Sequence, residues 1–479
     1  MGAPAGRGRG ARRHRGGGQG PGDILRGASL REVTLRDVTP ETTRIPYLPG
    51  LDGIRALAVL AVVLYHLGAP AVPGGFLGVD VFFVLSGFLI TSSLVVEHRR
   101  SGRLDLGRFL LRRARRLLPA LWLMLLVVCT TAALAVRAEL AELRVDVPAA
   151  LVYLSNWSSL AGDQSYFEAS GRPPLLQHLW SLAIEGQFYL LWPVAVAFLL
   201  RRAGPGGPRR IARVALGGAA ASTALMAAMA VAGGFPIPND PSPAYLGSAS
   251  HAMGLLLGSA LGAVWAPWTT TTSLARAGAA PAAAAARGQV RSAPWWLEGL
   301  GVVGLVGLVG AYWWTSSLSV ALYRGGFGIV SVLAALLVAA LAHPGARLGR
   351  LLGTQPWRYL GQRSYGIYLW HWPVLMLSRP GFELAFDGVA AAVLRLGVTL
   401  VLAEASYRWV ELPVRRGAVG RWAAAVRAPR SAARGGRSGR MVVGPVALGA
   451  LVVALGTVLV APPVVAREPG APVSVVVRP

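Results

Sequence analysis

The chain has 479 residues, 54% of them hydrophobic, and a formal net charge of +26 from 47 basic and 21 acidic residues. Only 14% of the residues are charged, compared with about 25% in soluble domains. The apolar fraction indicates a membrane protein, whereas the charge is typical of proteins that bind nucleic acid or an anionic surface. Because uncharged runs of about 20 residues recur, the composition excludes a small soluble enzyme and argues against a soluble nucleic-acid binder.

The N-terminal residues 1–46 are rich in arginine and glycine and show no apolar periodicity. Such a composition predicts a disordered tail, and the segment lacks the short apolar core of a signal peptide. All 47 basic residues are arginine, which is typical of a GC-rich genome and carries no chemical argument. The single cysteine, Cys129, lies in an apolar run and cannot form an internal disulfide.

Eleven segments are apolar and of roughly the length that crosses a bilayer, about 20 residues. They lie at 53–69, 76–96, 117–136, 178–200, 211–232, 245–266, 298–318, 325–343, 359–379, 389–410 and 441–463. This pattern predicts an all-α polytopic integral membrane protein with about ten core transmembrane helices, in a domain from 47 to 416, plus an eleventh C-terminal span. A further segment, 147–160, is shorter and more polar.

The arginine-bearing connections predict the orientation, because cytoplasmic loops carry an excess of arginine and lysine. The connection 97–116 is strongly basic and is therefore expected on the cytoplasmic side. The later basic loops also face the cytoplasm if 147–160 does not span, so we expect that segment at the outer face. The N-terminus is then on the cytoplasmic side of the inner membrane. The basic linker 417–440 is cytoplasmic, and the short tail 464–479 is external.

Ionisable residues inside spans are costly and are candidate functional residues. On the first span Arg55 and His66 are eleven residues apart, which places them about 20° apart around the helix and roughly 16 Å apart along it. In the predicted orientation Arg55 lies near the cytoplasm and His66 in the outer half of the membrane. The plainer interpretation is that Arg55 anchors the helix end and that His66 is a hydrogen-bonded packing residue.

The second and fourth spans also carry polar groups. Asp80 and Ser86 lie among aromatic residues on the second span. A buried carboxylate needs a favourable partner, so Asp80 could equally be paired structurally with an arginine or a helix N-terminus. On the fourth span His178 and Glu185 are seven residues apart and about 20° off one face, and Tyr189 follows by four. A structural salt bridge would explain Glu185 but not His178.

Two arginines open the third span. Arg113 and Arg116 lie three residues apart on one helical face. Guanidinium groups suit phosphate oxygens because their paired N–H donors match them. Anchoring to anionic lipid headgroups is an equally good explanation, and spacing alone does not separate the two.

Histidines are concentrated in the predicted outer half of the membrane. Four of the seven fall on spans there: His66, His178, His251 and His371. His371 lies between two tryptophans and is followed by Pro373, which would kink the helix. Such clustering favours acid–base chemistry, since imidazole titrates near neutral pH.

Five motifs occur in order along the chain: LDGIRALAVLAVVLYH, GGFLGVDVFFVLSGFLIT, RRARRLLPALW, HLWSLAIEGQFYLLWP and GQRSYGIYLWHWP. In order and spacing they resemble the bacterial membrane acyltransferase-3 family, which includes O-antigen and peptidoglycan O-acetylases and macrolide acyltransferases. The resemblance extends from about residue 47 to 416. It implies transfer of an acyl group, commonly acetyl from acetyl-CoA, to a hydroxyl of a sugar or a sugar-bearing acceptor.

The resemblance also implies roles for the residues that match the motifs. The functional arginine–histidine pair falls on Arg55 and His66, and the R-x-x-R pattern falls on Arg113 and Arg116. The E-x-Q-F-Y motif falls on Glu185, Gln187, Phe188 and Tyr189.

Together these observations predict a site. The catalytic residues are expected to be His66, Glu185 and Arg55. His66 is expected to act as general base or to carry the acyl group, and Glu185 to orient an imidazole or to stabilise its protonated form. Arg113 and Arg116 are expected to bind acyl-CoA, which is a co-substrate; no bound cofactor or metal is expected. The acceptor pocket is expected to include Asp80, Ser86, His178, Trp180, Gln187, Tyr189, Tyr368 and His371. The expected partners are acyl-CoA, a carbohydrate or glycosylated small molecule and the lipid bilayer, but not nucleic acid.

The sequence departs from the family pattern at three places. Gly186 stands where many members have a second glutamate. The stretch YLGSASH stands where many members read roughly Y-x-G-T-D-T-R, so Ala249 and His251 replace the acid and the arginine. Some members continue past an eleventh span into an external SGNH-type hydrolase-like domain. Here sixteen residues follow the predicted span, so we expect either that this second site is absent or that the chain is truncated.

An alternative function remains open from the residues alone. A polytopic transporter or flippase for a lipid-linked glycan could use the buried ionisable groups as a proton relay. Such transporters often show internal repeats, and no convincing repeat is found in this sequence. The acyltransferase prediction is therefore preferred.

Overall fold

The computed structural model describes residues 2, 46–162, 165–167, 172–203, 206–266 and 292–418. Regular structure in this part of the chain is overwhelmingly helical, so the prediction of an all-α polytopic membrane protein is confirmed. The predicted eleventh span, most of the N-terminal tail and linker, and the C-terminal tail lie outside the described residues.

The described helices follow one another along the chain. In order they are α1 (Pro49–His66), α2 (Gly78–Ser101), α3 (Leu106–Ala135), α4 (Leu140–Leu151), α5 (Ser155–Ala161), α6 (Leu179–Ala203), α7 (Gly207–Gly233), α8 (Ser242–Leu246), α9 (Met253–Val264), α10 (Trp295–Trp314), α11 (Phe327–Leu341), α12 (Arg347–Leu352), α13 (Trp357–Met376), α14 (Gly388–Ser406) and α15 (Leu412–Arg415).

Within these residues, eight helical stretches are long and apolar enough to cross a membrane. They contain α1, α2, α3, α6, α7, α10, α11 and α14. Helix α9 is apolar but shorter, with 12 residues. Helix α13 has 20 residues but carries several polar side chains. Nine of the ten spans predicted between 47 and 416 therefore correspond to one helix each, and the span 245–266 corresponds to α8, a turn and α9.

The third helix begins at Leu106 rather than at the predicted 117. Asp105 caps it by accepting a hydrogen bond from the backbone N–H of Arg108 at 2.8 Å. The arginine-rich stretch can continue the helix because the arginine stems are apolar and their charged heads can reach polar surroundings. Arg113 and Arg116 therefore project from a helix that extends beyond its apolar part.

The predicted span 245–266 is interrupted, so its predicted extent was wrong. Residues 247–252 form a turn between α8 and α9. In this turn the Ser250 hydroxyl donates to the carbonyl oxygen of Ala244 at 2.6 Å. The ring of His251 bonds through Nδ1 to the carbonyl oxygen of Tyr245 at 2.6 Å. These side chains satisfy carbonyl groups that a continuous helix would satisfy with its own N–H groups.

The polar segment 147–160 forms parts of two short helices, α4 and α5. Tyr153, between them, has a positive φ of 59°, which breaks the helical path. With 12 and 7 residues, neither helix is long enough to cross a bilayer.

Glycines allow α2 and α9 to pack with their backbones almost in contact. A methyl group on Gly87 would lie 1.9 Å from the carbonyl oxygen of Leu255, and one on Gly258 would lie 2.0 Å from that of Val84. Small residues at such crossings are typical of membrane helices. The same relation holds between α13 and α1, where a methyl group on Gly361 would lie 1.8 Å from the carbonyl oxygen of Asp52. These contacts fix the relative positions of the helices that carry the site.

A cluster of ion pairs joins the loops at the end of the helices opposite the arginine-rich start of α3. Arg172 contacts Glu383, and its Nη1 lies 3.4 Å from Oε1 of Glu139. Arg379 Nη2 also lies 3.0 Å from Oε1 of Glu383. The cluster therefore ties the segment before α6 to the loop after α13.

The stability supplied by Glu383 should depend on pH. Hydrogen bonds from the side chain of Arg379, together with those from its backbone and from Arg172, lower the pKa of Glu383 to about 2. Because the folded pKa lies below the unfolded value of about 4.3, this stabilisation is present above that value and is lost as pH falls towards 2. We expect Glu383→Gln to lower the free energy of unfolding at pH 7 by less than about 1 kcal/mol. The change is measured as a lower melting temperature in detergent. The difference in melting temperature between the variant and the unmodified protein should become smaller between pH 5 and pH 3. A difference that stays constant over this range would contradict the stabilising role of the Glu383 carboxylate.

Candidate active site

A pocket opens among α1, α2, α3, α6 and α13. Its wall combines apolar side chains with a charged and polar set. The polar and charged lining residues, including three tyrosines whose hydroxyl groups are hydrogen-bonded, are Arg55, Ser86, Arg113, Arg116, Ser181, Glu185, Ser364, Tyr189, Tyr365 and Tyr368. Seven residues of the sequence-predicted site, Tyr368 among them, therefore meet in one pocket.

Glu185 is the acidic centre of this pocket. The Ser86 hydroxyl donates to its Oε1 at 2.5 Å, and the Tyr189 hydroxyl donates to its Oε2 at 3.0 Å. Ser86 projects from α2, whereas Tyr189 lies one turn beyond Glu185 on α6. Because both carboxylate oxygens accept hydrogen bonds, the network holds Glu185 in a fixed position and joins α2 to α6.

Three arginines line the same pocket. The guanidinium carbon of Arg113 lies 5.5 Å from the ring centre of Tyr189. Arg55 Nη1 lies 3.6 Å from Oδ1 of Asp52. Within the described residues, the buried Nε of Arg55 has no hydrogen-bond partner. Among the residues that line the pocket, three guanidinium groups face one carboxylate, that of Glu185, so the pocket is suited to an anion.

Three histidines meet beside this pocket. His371 Nε2 lies 3.2 Å from Nδ1 of His66. The ring centre of His178 lies 5.8 Å from that of His371. Within the described residues neither ring nitrogen of His178 has a hydrogen-bond partner, although the residue is buried. Trp372 packs its ring 5.0 Å from that of His66. These three imidazoles form what we call the histidine cluster: His66, His178 and His371.

Tyr368 joins the pocket to the histidine cluster. Its hydroxyl donates to the carbonyl oxygen of His178 at 2.8 Å and lies 2.7 Å from the hydroxyl of Ser181. Its own carbonyl oxygen bonds Nδ1 of His371 at 2.6 Å. The pocket and the histidine cluster are therefore adjacent and share Tyr368, but His178 and His371, which were expected in the acceptor pocket, do not line it. Glu185, however, hydrogen-bonds Ser86 and Tyr189 rather than an imidazole, so the expectation that it orients a histidine is wrong in this structure.

Asp80 lies away from the pocket, contrary to its expected place in the acceptor site. Its Oδ1 lies 3.0 Å from Nε2 of His251, and both side chains are almost completely buried. The partner is thus neither an arginine nor a helix N-terminus. Because the Tyr245 carbonyl occupies Nδ1 of His251, a proton must lie between Nε2 and the carboxylate. Trp180 packs 5.5 Å from His251 and is likewise buried behind the pocket.

Gln187 also serves a different purpose from the expected one. Its Nε2 donates at 2.9 Å to the carbonyl oxygen of Tyr153 and to Oδ1 of Asn156. Its Oε1 accepts from the hydroxyl of Ser248 at 2.6 Å and from the indole N–H of Trp157 at 3.3 Å. With these bonds Gln187 fastens α5 and the turn before α9 to α6, instead of lining the acceptor pocket.

The neighbouring Gly186 has a steric explanation. A Cβ atom at this position would lie 2.2 Å from Cδ1 of Tyr153. The ring of Tyr153 therefore occupies the space that a second glutamate would need, which accounts for this departure from the family pattern.

Sequence reasoning missed several residues of the site. Ser181 lines the pocket one turn before Glu185 on α6, and this spacing of four was a usable signal. Tyr365 lines it from α13, and its hydroxyl donates to the carbonyl oxygen of Leu117 at 2.9 Å. Asp52 is held by the hydroxyl of Tyr47 at 2.6 Å.

The family model of an acyltransferase domain matches residues 48–407. The chain belongs to this acyltransferase family. The resemblance carried by the five sequence motifs is thereby confirmed.

Named relatives extend the comparison. The chain is 36% identical over 370 residues to the peptidoglycan O-acetyltransferase OatA of Listeria monocytogenes. It is 40% identical over 373 residues to YrhL of Bacillus subtilis, a candidate peptidoglycan O-acetyltransferase, and 34% identical over 370 residues to the O-acetyltransferase OatA of Staphylococcus aureus. Each alignment covers 77% of this chain but only 56%, 55% and 57% of the respective relative. The chain thus spans little more than half the length of these relatives. No solved structure matches it.

Proposed function

We propose that this protein is a membrane O-acyltransferase that moves an acyl group, acetyl in the simplest case, from acyl-CoA to a hydroxyl of a carbohydrate or sugar-bearing acceptor. Membership of the acyltransferase family and the names of the three relatives support this reaction. Peptidoglycan, named for two of them, is the first acceptor to test. The observation that carries the proposal is a pocket with three arginines that adjoins the histidine cluster.

The arginines favour a donor that carries phosphate groups. Arg113 and Arg116 project from the arginine-rich start of α3, and Arg55 faces them from α1. Planar guanidinium groups bind phosphate oxygens through paired charge-assisted hydrogen bonds. We propose that this end of the helices faces the cytoplasm, where acyl-CoA is found, because the arginine-bearing loops lie there. The histidine cluster then lies towards the outer side.

The proposed reaction uses His66 as general base. Its imidazole takes the proton of the acceptor hydroxyl while the oxygen attacks the carbonyl carbon of the thioester. The carbon–sulfur bond breaks, and the departing thiolate takes the proton from His66. Bringing the two substrates together where the pocket adjoins the histidine cluster supplies part of the rate enhancement. Glu185 contributes by holding Ser86 and Tyr189 and by balancing part of the arginine charge.

A labelling experiment tests the proposal. Membranes that contain the protein are incubated with acetyl-CoA labelled in the acetyl group, and the glycan, lipid and protein fractions are separated. We expect label in a base-labile ester on a glycan or a sugar-bearing molecule. Movement of a glycan across the membrane without incorporation of label would support a transporter instead. Label that stays on the protein at His66 would show an acyl-histidine intermediate in place of base catalysis.

The arginine pair gives a prediction with a matched control. We expect the double variant Arg113→Ala, Arg116→Ala to weaken acyl-CoA binding at least about tenfold, since hydrogen bonds to charged groups contribute about 1.5–3 kcal/mol each. The control is Arg112→Ala, Arg115→Ala on the exposed side of the same helix. It removes the same charge but no pocket residue. Equal affinities of the two double variants, measured by equilibrium binding in detergent, would favour lipid anchoring.

A further inference from the structure

The hydrogen bonds of His371 determine where its protons lie. Nδ1 bonds the carbonyl oxygen of Tyr368 at 2.6 Å. A carbonyl oxygen only accepts, so Nδ1 of His371 must carry a hydrogen. In the neutral ring Nε2 then has a free lone pair, and it lies 3.2 Å from Nδ1 of His66. The hydrogen of this second bond must therefore come from Nδ1 of His66.

We propose that His371 is a positioning residue that holds His66 in the tautomer with Nδ1 protonated and Nε2 free to accept a proton. This inference rests on the proposed function, in which His66 removes the proton of the acceptor hydroxyl. With the opposite tautomer, Nε2 of His66 would carry a hydrogen and could not act as the base. Tyr368 thus fixes the tautomer of His371, and His371 fixes the tautomer of His66.

The surroundings favour a neutral His371. The residue is completely buried, and an ion at such a position is costly. Both of its ring nitrogens are already occupied, by Tyr368 and by His66. A charged His371 would donate from Nε2 and would leave His66 in the unproductive tautomer. Burial therefore favours two neutral rings in the resting state, with the hydrogen of the bond between them on Nδ1 of His66.

The pair also suits the charge that forms during the reaction. When His66 takes a proton at Nε2, its Nδ1–H bond to His371 becomes charge-assisted and stronger. The positive charge is then stabilised without a permanent anion in the membrane. The proton leaves from Nε2 of His66 to the departing thiolate, so His371 neither gains nor loses a proton over the cycle.

Packing limits rotation of the His66 ring. Its ring centre lies 5.0 Å from that of Trp372 and 5.1 Å from that of Tyr65, both in edge contacts. His66 nevertheless keeps part of its surface exposed. The ring is therefore oriented by its neighbours while one edge remains accessible to an acceptor.

Three substitutions separate positioning from a purely structural role. His371→Gln places an acceptor oxygen near the position of Nε2, whereas His371→Asn supplies a donor near Nδ1 for Tyr368 but does not reach His66. His371→Leu supplies neither. We expect kcat to fall about 100-fold in the leucine and asparagine variants and to recover at least tenfold in the glutamine variant. KM for acyl-CoA should change less than about threefold. Equal kcat values for asparagine and glutamine, or a leucine variant within threefold of the unmodified enzyme, would overturn the proposal.

Nitrogen-15 NMR of the full chain with labelled histidine tests the tautomer independently of activity. The His66 signals are assigned by their loss in His66→Gln. We expect a protonated Nδ1 and an unprotonated Nε2 in the unmodified protein and in His371→Gln, and a mixture of tautomers in His371→Leu. A protonated Nε2 in the unmodified protein would refute the positioning role. If the tautomer is as expected but no acyl transfer occurs, the proposed function fails while the hydrogen-bond assignment stands.

Discussion

Replacing His66 with alanine is expected to reduce acyl transfer by at least about 100-fold, because general acid–base catalysis contributes about 10²–10⁴-fold. His66 is the member of the histidine cluster that lies on the same helix as Arg55 and is partly exposed. Its loss removes the proposed base without removing the arginine pocket. The variant should therefore still bind acyl-CoA with nearly unchanged affinity. The measurement is the rate of labelled ester formation at saturating acetyl-CoA, in membranes matched for protein amount.

The control is His98→Ala, which removes a histidine from the last turn of α2. That residue lies outside the histidine cluster, so the control should keep its rate. Product formation by His66→Ala at the unmodified rate, with normal protein in the membrane, would exclude His66 as the base. A loss of acyl-CoA binding in the same variant would instead place His66 in the donor site.

The positions of most helices could be predicted from the sequence because apolar length is a local property. Nine of the ten apolar segments predicted between 47 and 416 correspond to one helix each. The largest error concerns 245–266, where the turn at 247–252 depends on side chains that bind local carbonyl groups. Average hydropathy does not detect these bonds, since Ser250 and His251 contribute little to it within an apolar window.

The candidate site was predictable only in part, for a similar reason. Ser86 on α2 and Glu185 on α6 could each be identified as a polar group in an apolar segment. Their partners could not, because they come from distant parts of the chain. Asp80 contacts His251, which lies 171 residues away in the sequence. The periodicity of residues along the chain cannot predict such a contact. The joining role of Tyr368 likewise depends on three-dimensional contact with His178.

Two residues of the E-x-Q-F-Y motif, Glu185 and Gln187, have different surroundings in the structure. Glu185 and Gln187 are two positions apart, and they therefore point to different sides of α6. Glu185 faces the pocket, whereas Gln187 bonds Asn156 on α5. A motif can thus combine a group for the reaction with a group for the fold, and only the contacts distinguish them.

The crossing of α2 and α9 gives the prediction with the largest expected effect on folding. Gly87→Ala would place a methyl group 1.9 Å from the carbonyl oxygen of Leu255 and 2.9 Å from the backbone nitrogen of Ser259. Since both atoms belong to backbone, the helices must separate. Overpacking costs about 1–3 kcal/mol and occasionally more. In a chain of 479 residues that cost corresponds to a fall of about 1–3 °C in the melting temperature. Acyl transfer should fall too, since Ser86 would move away from Glu185.

Gly217→Ala is the matched control, since it makes the same change inside a long apolar helix. A methyl group at Gly217, on α7, would meet no atom within 4 Å. Because alanine favours helix by about 1 kcal/mol over glycine, this variant should be as stable as the unmodified protein or slightly more so. Thermal unfolding in detergent and the amount of protein in the membrane compare the two variants. If Gly87→Ala were as stable as Gly217→Ala, the close crossing with α9 would not determine the position of α2. The position of Ser86 would then depend mainly on its hydrogen bond to Glu185.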